Sequence, residues 1–69
     1  MNRLDRKARL VSFMHFNRGI GAIPLRAVAN FVYSDVKNLD LRDRMFYNSF
    51  LPVAIENEWL EVFGDEVVI

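Results

Sequence analysis

No cysteine occurs in this chain of 69 residues, which excludes disulfide frameworks and thiolate metal sites. His15 is the single histidine, so no second His and no Cys can complete a metal or nucleophile set around it. A structural or surface role is therefore expected for it, with no catalytic residues, no metal and no cofactor. The segment GIGAIP lacks both the third Gly and the Lys-Ser/Thr ending of a phosphate loop. No apolar run approaches the roughly 18 residues of a membrane helix. No charged-then-apolar leader with a small-residue cleavage site opens the chain, so a soluble cytoplasmic (intracellular) protein is expected. Internal repeats, low-complexity tracts and dividing linkers are also missing, and residues 1–69 read as one domain.

Excess charge of either sign is absent as well, but the zero net charge conceals an asymmetry. Residues 1–34 carry six basic side chains against Asp5 alone, while residues 35–69 carry three against eight acidic ones. Such a dipolar chain can steer an anionic partner to one side or stack head to tail with itself. What is abundant is apolar surface, at 52% of residues with 13% aromatics, too rich for a disordered chain. A domain this small buries only about 60% of its unfolded surface, so its core is marginal and a partner can be needed for stability.

The last thirteen residues, NEWLEVFGDEVVI, carry the clearest local signal. A two-residue Gly-X loop at Gly64-Asp65 is a hairpin turn. If Phe63 pairs with Glu66, then Val62 faces Val67 and Leu60 faces Ile69, which places four apolar side chains on one face of the ribbon.

Three helical segments precede that hairpin. Asn2 caps the first, with Asp5 in its first turn and Leu4, Ala8, Val11 and Met14 at helical spacing; Gly19 is the expected C-cap. Pro24 opens the second, whose stripe is Leu25, Val28, Ala29 and Val32. Asn38 or Asp40 caps the third, with Leu41, Met45, Ser49, Pro52 and Ile55 along one side. Pro52 removes the bond to the carbonyl of Asn48, so a kink or restart is expected there, with Ile55 and Trp59 still packed inward. The spacings predict helices near 2–17, 24–34 and 39–57, the last broken around Pro52, and a hairpin at 59–69. The fold class is mainly α with a C-terminal β-hairpin.

Helix, helix, helix, then hairpin in about seventy residues resembles the winged helix-turn-helix domain. The join AIENEWLEVFGDEVVI looks like that family's passage from recognition helix to wing, and Leu51-Pro52 is similar to members with a Pro late in that helix. The resemblance implies a three-helix core in which residues 24–34 are the first helix of the reading pair and residues 39–50 the recognition helix. Arg42, Asp43, Tyr47 and Asn38 would then lie near the end that enters a major groove. Arg can fork onto guanine and Asn can pair with adenine. Arg44 and Lys37 would meet phosphates, and Arg26 or Arg18 would clamp the backbone. The implied function is a small transcriptional regulator that binds double-stranded DNA by occluding a site, as a homodimer, because one short recognition helix offers too little contact.

The wing departs from that pattern, since Glu61, Asp65 and Glu66, with Glu56 and Glu58 beside it, would repel DNA where family wings present Arg or Lys. Phe31 and Tyr33 sit off the stripe of the second helix, and Phe63 lies on the hairpin face opposite Leu60 and Val62. Exposed aromatics are enriched at interfaces. The alternative is a viral or mobile-element interaction module that binds and inhibits or adapts a larger machine. Its surface would comprise Phe31, Tyr33, Trp59, Phe63, Glu61, Asp65 and Glu66.

Overall fold

The protein is described over residues 2–69 by a computed structural model. Helix α1 (Arg3–Phe16) begins at a reciprocal cap: the Asn2 side chain accepts the Asp5 N–H at 3.0 Å and the Asp5 carboxylate takes the Asn2 N–H. Two of the four N–H groups that a helix start leaves orphaned are satisfied this way. The helix ends two residues before the expected glycine. Asn17 closes it, donating from its side chain to the Phe13 carbonyl at 2.8 Å, while Gly19 (φ 89°) belongs to the turn beyond.

The segment expected as a loop and helix start contains a strand instead. Strand β1 (Ala22–Pro24) ends on Pro24, which precedes helix α2 (Leu25–Val32) as its N-cap. A proline is tolerated there because β1 is an edge strand. The C-terminal hairpin is formed by β2 (Glu61–Phe63) and β3 (Glu66–Val68), with Gly64 at φ 59° supplying the left-handed turn position. Val62 pairs with Val67 and Phe63 with Glu66, the register expected from the sequence. On its other side β3 pairs antiparallel with β1, Ile23 opposite Val67, giving a three-stranded sheet of order β1-β3-β2. The Leu25 N–H, an orphan of the α2 start, donates to the Asp65 carbonyl at 2.7 Å and ties the hairpin turn to that helix.

The third helical segment runs from α3 (Leu39–Arg44) through a π-helical stretch (Met45–Phe50) into α4 (Leu51–Glu56). Pro52 was expected to break it. The backbone stays right-handed helical at Arg44, Met45, Phe50 and Leu51, and the Leu51 N–H reaches back five residues to the Phe46 carbonyl. The wide turn thus sits just before the proline and absorbs the disturbance without a break.

That turn also changes which side faces the core. Phe46, Phe50 and Ala54 are buried, whereas Leu41, Ser49, Pro52 and Ile55 of the expected stripe are exposed and Met45 is half-buried. Steps of four residues overshoot a 3.6-residue turn by about 40° each. The wider π turn takes back part of that overshoot, so residues four apart remain in line. Trp59 packs half-buried on Phe50, ring centres 6.0 Å apart, while Ile55 turns outward.

Helix α2 buries its whole stripe of Leu25, Val28, Ala29 and Val32. Helix α1 does not. Its inward residues are Arg6 and Leu10, with Phe13 half-buried beside them, and Leu4, Ala8 and Val11 of the expected stripe face out. The cause is Arg6, which is 5% exposed and donates to the Val32 carbonyl and, with both terminal nitrogens, to the Asp35 carboxylate. Its guanidinium also lies 4.0 Å from the centre of the Tyr33 ring. Tyr33, expected at an interface, is therefore core: it is 5% exposed and meets Phe46 and Phe50 edge-on.

Candidate interaction surfaces

The sequence offers two candidate surfaces, a DNA-reading face and an aromatic-acidic one, and the structure treats them differently. On the third helical segment, Asn38 spends its side-chain oxygen on the Leu41 N–H at 3.1 Å, a helix cap. Arg42 is turned back toward the preceding turn, donating from Nε to the Val36 carbonyl at 3.0 Å and from Nη1 to Asn30 at 3.2 Å. Arg26 reaches both carboxylate oxygens of Asp43 at 3.2 Å. Lys37 donates to the Ser34 carbonyl. Five of the eight residues implied for DNA contact are thus engaged within the chain. Arg44 and Arg18 are exposed, and Tyr47 is half-buried with its ring edge-on to Phe46 at 5.0 Å.

The outward side of the third segment is instead Asp40, Arg44 and Asn48, four residues apart and all exposed. Sequence spacing alone does not single out Asn48, because its outward place depends on the π-helical stretch. Placing Phe46 and Phe50 inward puts Arg44 and Asn48 outward.

The hairpin turns Glu61, Phe63, Glu66 and Val68 away from the core, all exposed, with Phe63 at 62%. Asp65 at the turn lies near Pro24, Leu25, Arg26 and Tyr47 around a small hollow. Phe31 is half-covered by Phe13, ring centres 5.3 Å apart.

A groove runs between the C-terminal half of α1, the end of α4 and the start of β2. Met14, Ile55, Trp59, Leu60 and Val68 form its apolar lining, with Glu58 and Glu61 as its charged residues. Glu58 holds a left-handed backbone (φ 58°), the place after a helix where glycine is usual. Its N–H bonds the Ile55 carbonyl and the Trp59 N–H bonds the Ala54 carbonyl, which together close α4.

Electrostatically the tightest site is Asp35. Hydrogen bonding from Arg6 holds its carboxyl below the usual range, at about 2, and the charges of Arg6 and Arg9 add to this while partial desolvation opposes it. This site is structural, since it joins α1 to the end of α2. No sequence motif announces it, although Arg6, Leu10 and Phe13 do follow at four and three residues. Among the described residues no group of three or more His, Cys, Asp or Glu side chains is placed to hold a metal ion, and no helix is long and apolar enough to cross a membrane.

Comparisons with protein-family models, with curated proteins and with solved structures find no match. The order of three helical segments and an antiparallel hairpin is compatible with a winged-helix arrangement.

Proposed function

We propose that this domain is a protein-interaction module, working without catalysis, that docks its acidic hairpin on a basic surface of a larger protein. The observation that carries this reading is Phe63, a large ring 62% exposed with Glu61, Glu66 and Asp65 around it. A rigid aromatic anchor ringed by charge is how interface centres gain affinity and orientation. The engagement of Arg26, Lys37, Asn38, Arg42 and Asp43 within the chain supports it from the other side, because DNA contacts would compete with bonds those groups already make.

Affinity capture from a nuclease-treated lysate tests it. A stoichiometric protein that survives nuclease and disappears with Phe63→Ser is the expected result. Retention of DNA fragments alone, unchanged by Phe63→Ser, overturns it.

A second reading, a winged helix-turn-helix regulator on double-stranded DNA, is favoured by the outward Arg44 and Asn48 and by the element order. Arg18 would add a phosphate contact. Each phosphate neutralised contributes a log–log salt slope of about −0.9, so a slope shallower than about −2 leaves too few contacts for a specific reader.

A further inference from the structure

We propose that the outward ridge of α1 and the groove beside it form a two-fold interface between two copies of this chain. Leu4 is 74% exposed, Val11 57%, and Ala8 lies between them on the same side of the helix. Lys7 and Met14 stand four residues before and three after Val11, so they border the same ridge. Both connect it to the groove: Lys7 Nζ sits 4.8 Å from the centre of the Trp59 ring, and Met14 is part of the lining. Ridge and groove are therefore neighbours on one continuous surface, and Ile55 extends that surface with 48% exposure.

The occupant follows from shape and charge together. A closed dimer needs a surface that complements itself, each residue meeting its counterpart's neighbour twice. Here a protruding apolar ridge on the basic half of the sequence adjoins a concave apolar groove bearing Glu58 and Glu61 from the acidic half. A two-fold axis between them sets each ridge, with Lys7 at its edge, against the other copy's carboxylates. DNA would be repelled by those carboxylates, and an acidic segment likewise. Monomers rarely leave contiguous apolar patches beyond a few hundred Å² open to water, and a domain this small gains most from covering one. Of the acidic hairpin, Glu61 borders the groove and is shared, while the tip from Phe63 to Glu66 lies outside the groove lining and stays available for the partner proposed above.

Sedimentation of the full chain over a dilution series, at low and high salt, tests the proposal by mass alone and so does not depend on the hairpin finding its partner. The expected result is a two-chain species that dissociates on dilution. Val11→Glu, at an exposed position, should keep the helical circular dichroism and raise the dissociation constant about tenfold or more, one decade being the effect of 1.4 kcal/mol. Val11→Lys should weaken the dimer less, because the introduced ammonium meets Glu58 and Glu61 of the other copy. A chain that sediments as a monomer throughout overturns the proposal. So does a dimer indifferent to Val11→Glu, or equal losses for the Glu and Lys variants.

Discussion

Helices α1 and α2 present similar apolar stripes in the sequence and end up oppositely used. In α2 the stripe of Leu25, Val28, Ala29 and Val32 is wholly buried; in α1 Leu4, Ala8 and Val11 face water and only Met14 of the stripe is half-buried. The difference lies in what else each helix carries on its circumference. The one charged residue of α2, Arg26, is exposed and makes no demand on the core. On α1, Arg6 can satisfy the Val32 carbonyl and Asp35 only from an inward position, and it brings Leu10 in with it. A buried arginine with a carbonyl and a carboxylate in reach outweighs a modest apolar stripe, because its guanidinium would otherwise be buried without partners, while Asp35 stays part-exposed at the rim. Periodicity ranks the faces of a helix by hydrophobicity alone and is blind to that demand.

The comparison breaks most decisively within α1 itself. Leu10 is fully buried and Leu4 is 74% exposed, so Leu10→Ala should cost about 2–5 kcal/mol in denaturant unfolding and Leu4→Ala no more than about 0.5 kcal/mol at a dilution where the chain is monomeric. Equal costs would mean that the helix is rotated from the orientation described. Arg6→Ala comes next. It leaves the Val32 carbonyl without its side-chain donor and uncovers the Tyr33 ring, and a loss of about 1–3 kcal/mol is expected on the unsatisfied carbonyl alone.

How far the sequence could be read depends on the same distinction. The hairpin register was legible because a two-residue turn and a period of two leave one solution, with Val62 opposite Val67. The α2 stripe was legible because no charged residue of that helix has to reach inward. β1 was not, because three residues ending in Pro24 have no pattern of their own and become a strand only when β3 is beside them. The inward side of the third segment is not legible, because regular helical spacing favours Leu41, Met45, Ser49, Pro52 and Ile55, whereas the π-helical widening at Met45–Phe50 carries Phe46 and Phe50 to the core. Of the surface residues, Phe63 and the acidic hairpin positions were placed correctly as exposed, while Tyr33 was drawn into the core by its contact with Arg6. The self-satisfaction of Arg42, Asp43 and Arg26 is a tertiary fact that no spacing contains.

Acid unfolding sharpens the comparison between the two helices' junction and the rest of the surface. The folded Asp35 carboxyl lies at about 2, below its ordinary value of 3.8, so between those values the unfolded chain binds the proton that the folded one refuses. The contribution is complete above pH 3.8 and is lost as the pH falls toward 2. Asp35→Asn should flatten that part of the stability profile while lowering the plateau, since it removes the charge that pairs Arg6. A profile of unchanged slope in the variant would show that other carboxylates set the acid limit.

A small effect of opposite sign separates stability from interaction. Glu58 closes α4 in a left-handed conformation that costs an ordinary residue about 1–2 kcal/mol, and glycine avoids that strain at the expense of about 0.5–1 kcal/mol of extra chain entropy. Glu58→Gly should therefore stabilise the monomer by roughly 0.5–1 kcal/mol, read as a higher denaturant midpoint with unchanged slope. The same substitution removes a carboxylate from the groove, so self-association should weaken while the fold gains. A rise in both would assign Glu58 no part in the interface, and a fall in stability would mean that the side chain makes a compensating contact in place of strain.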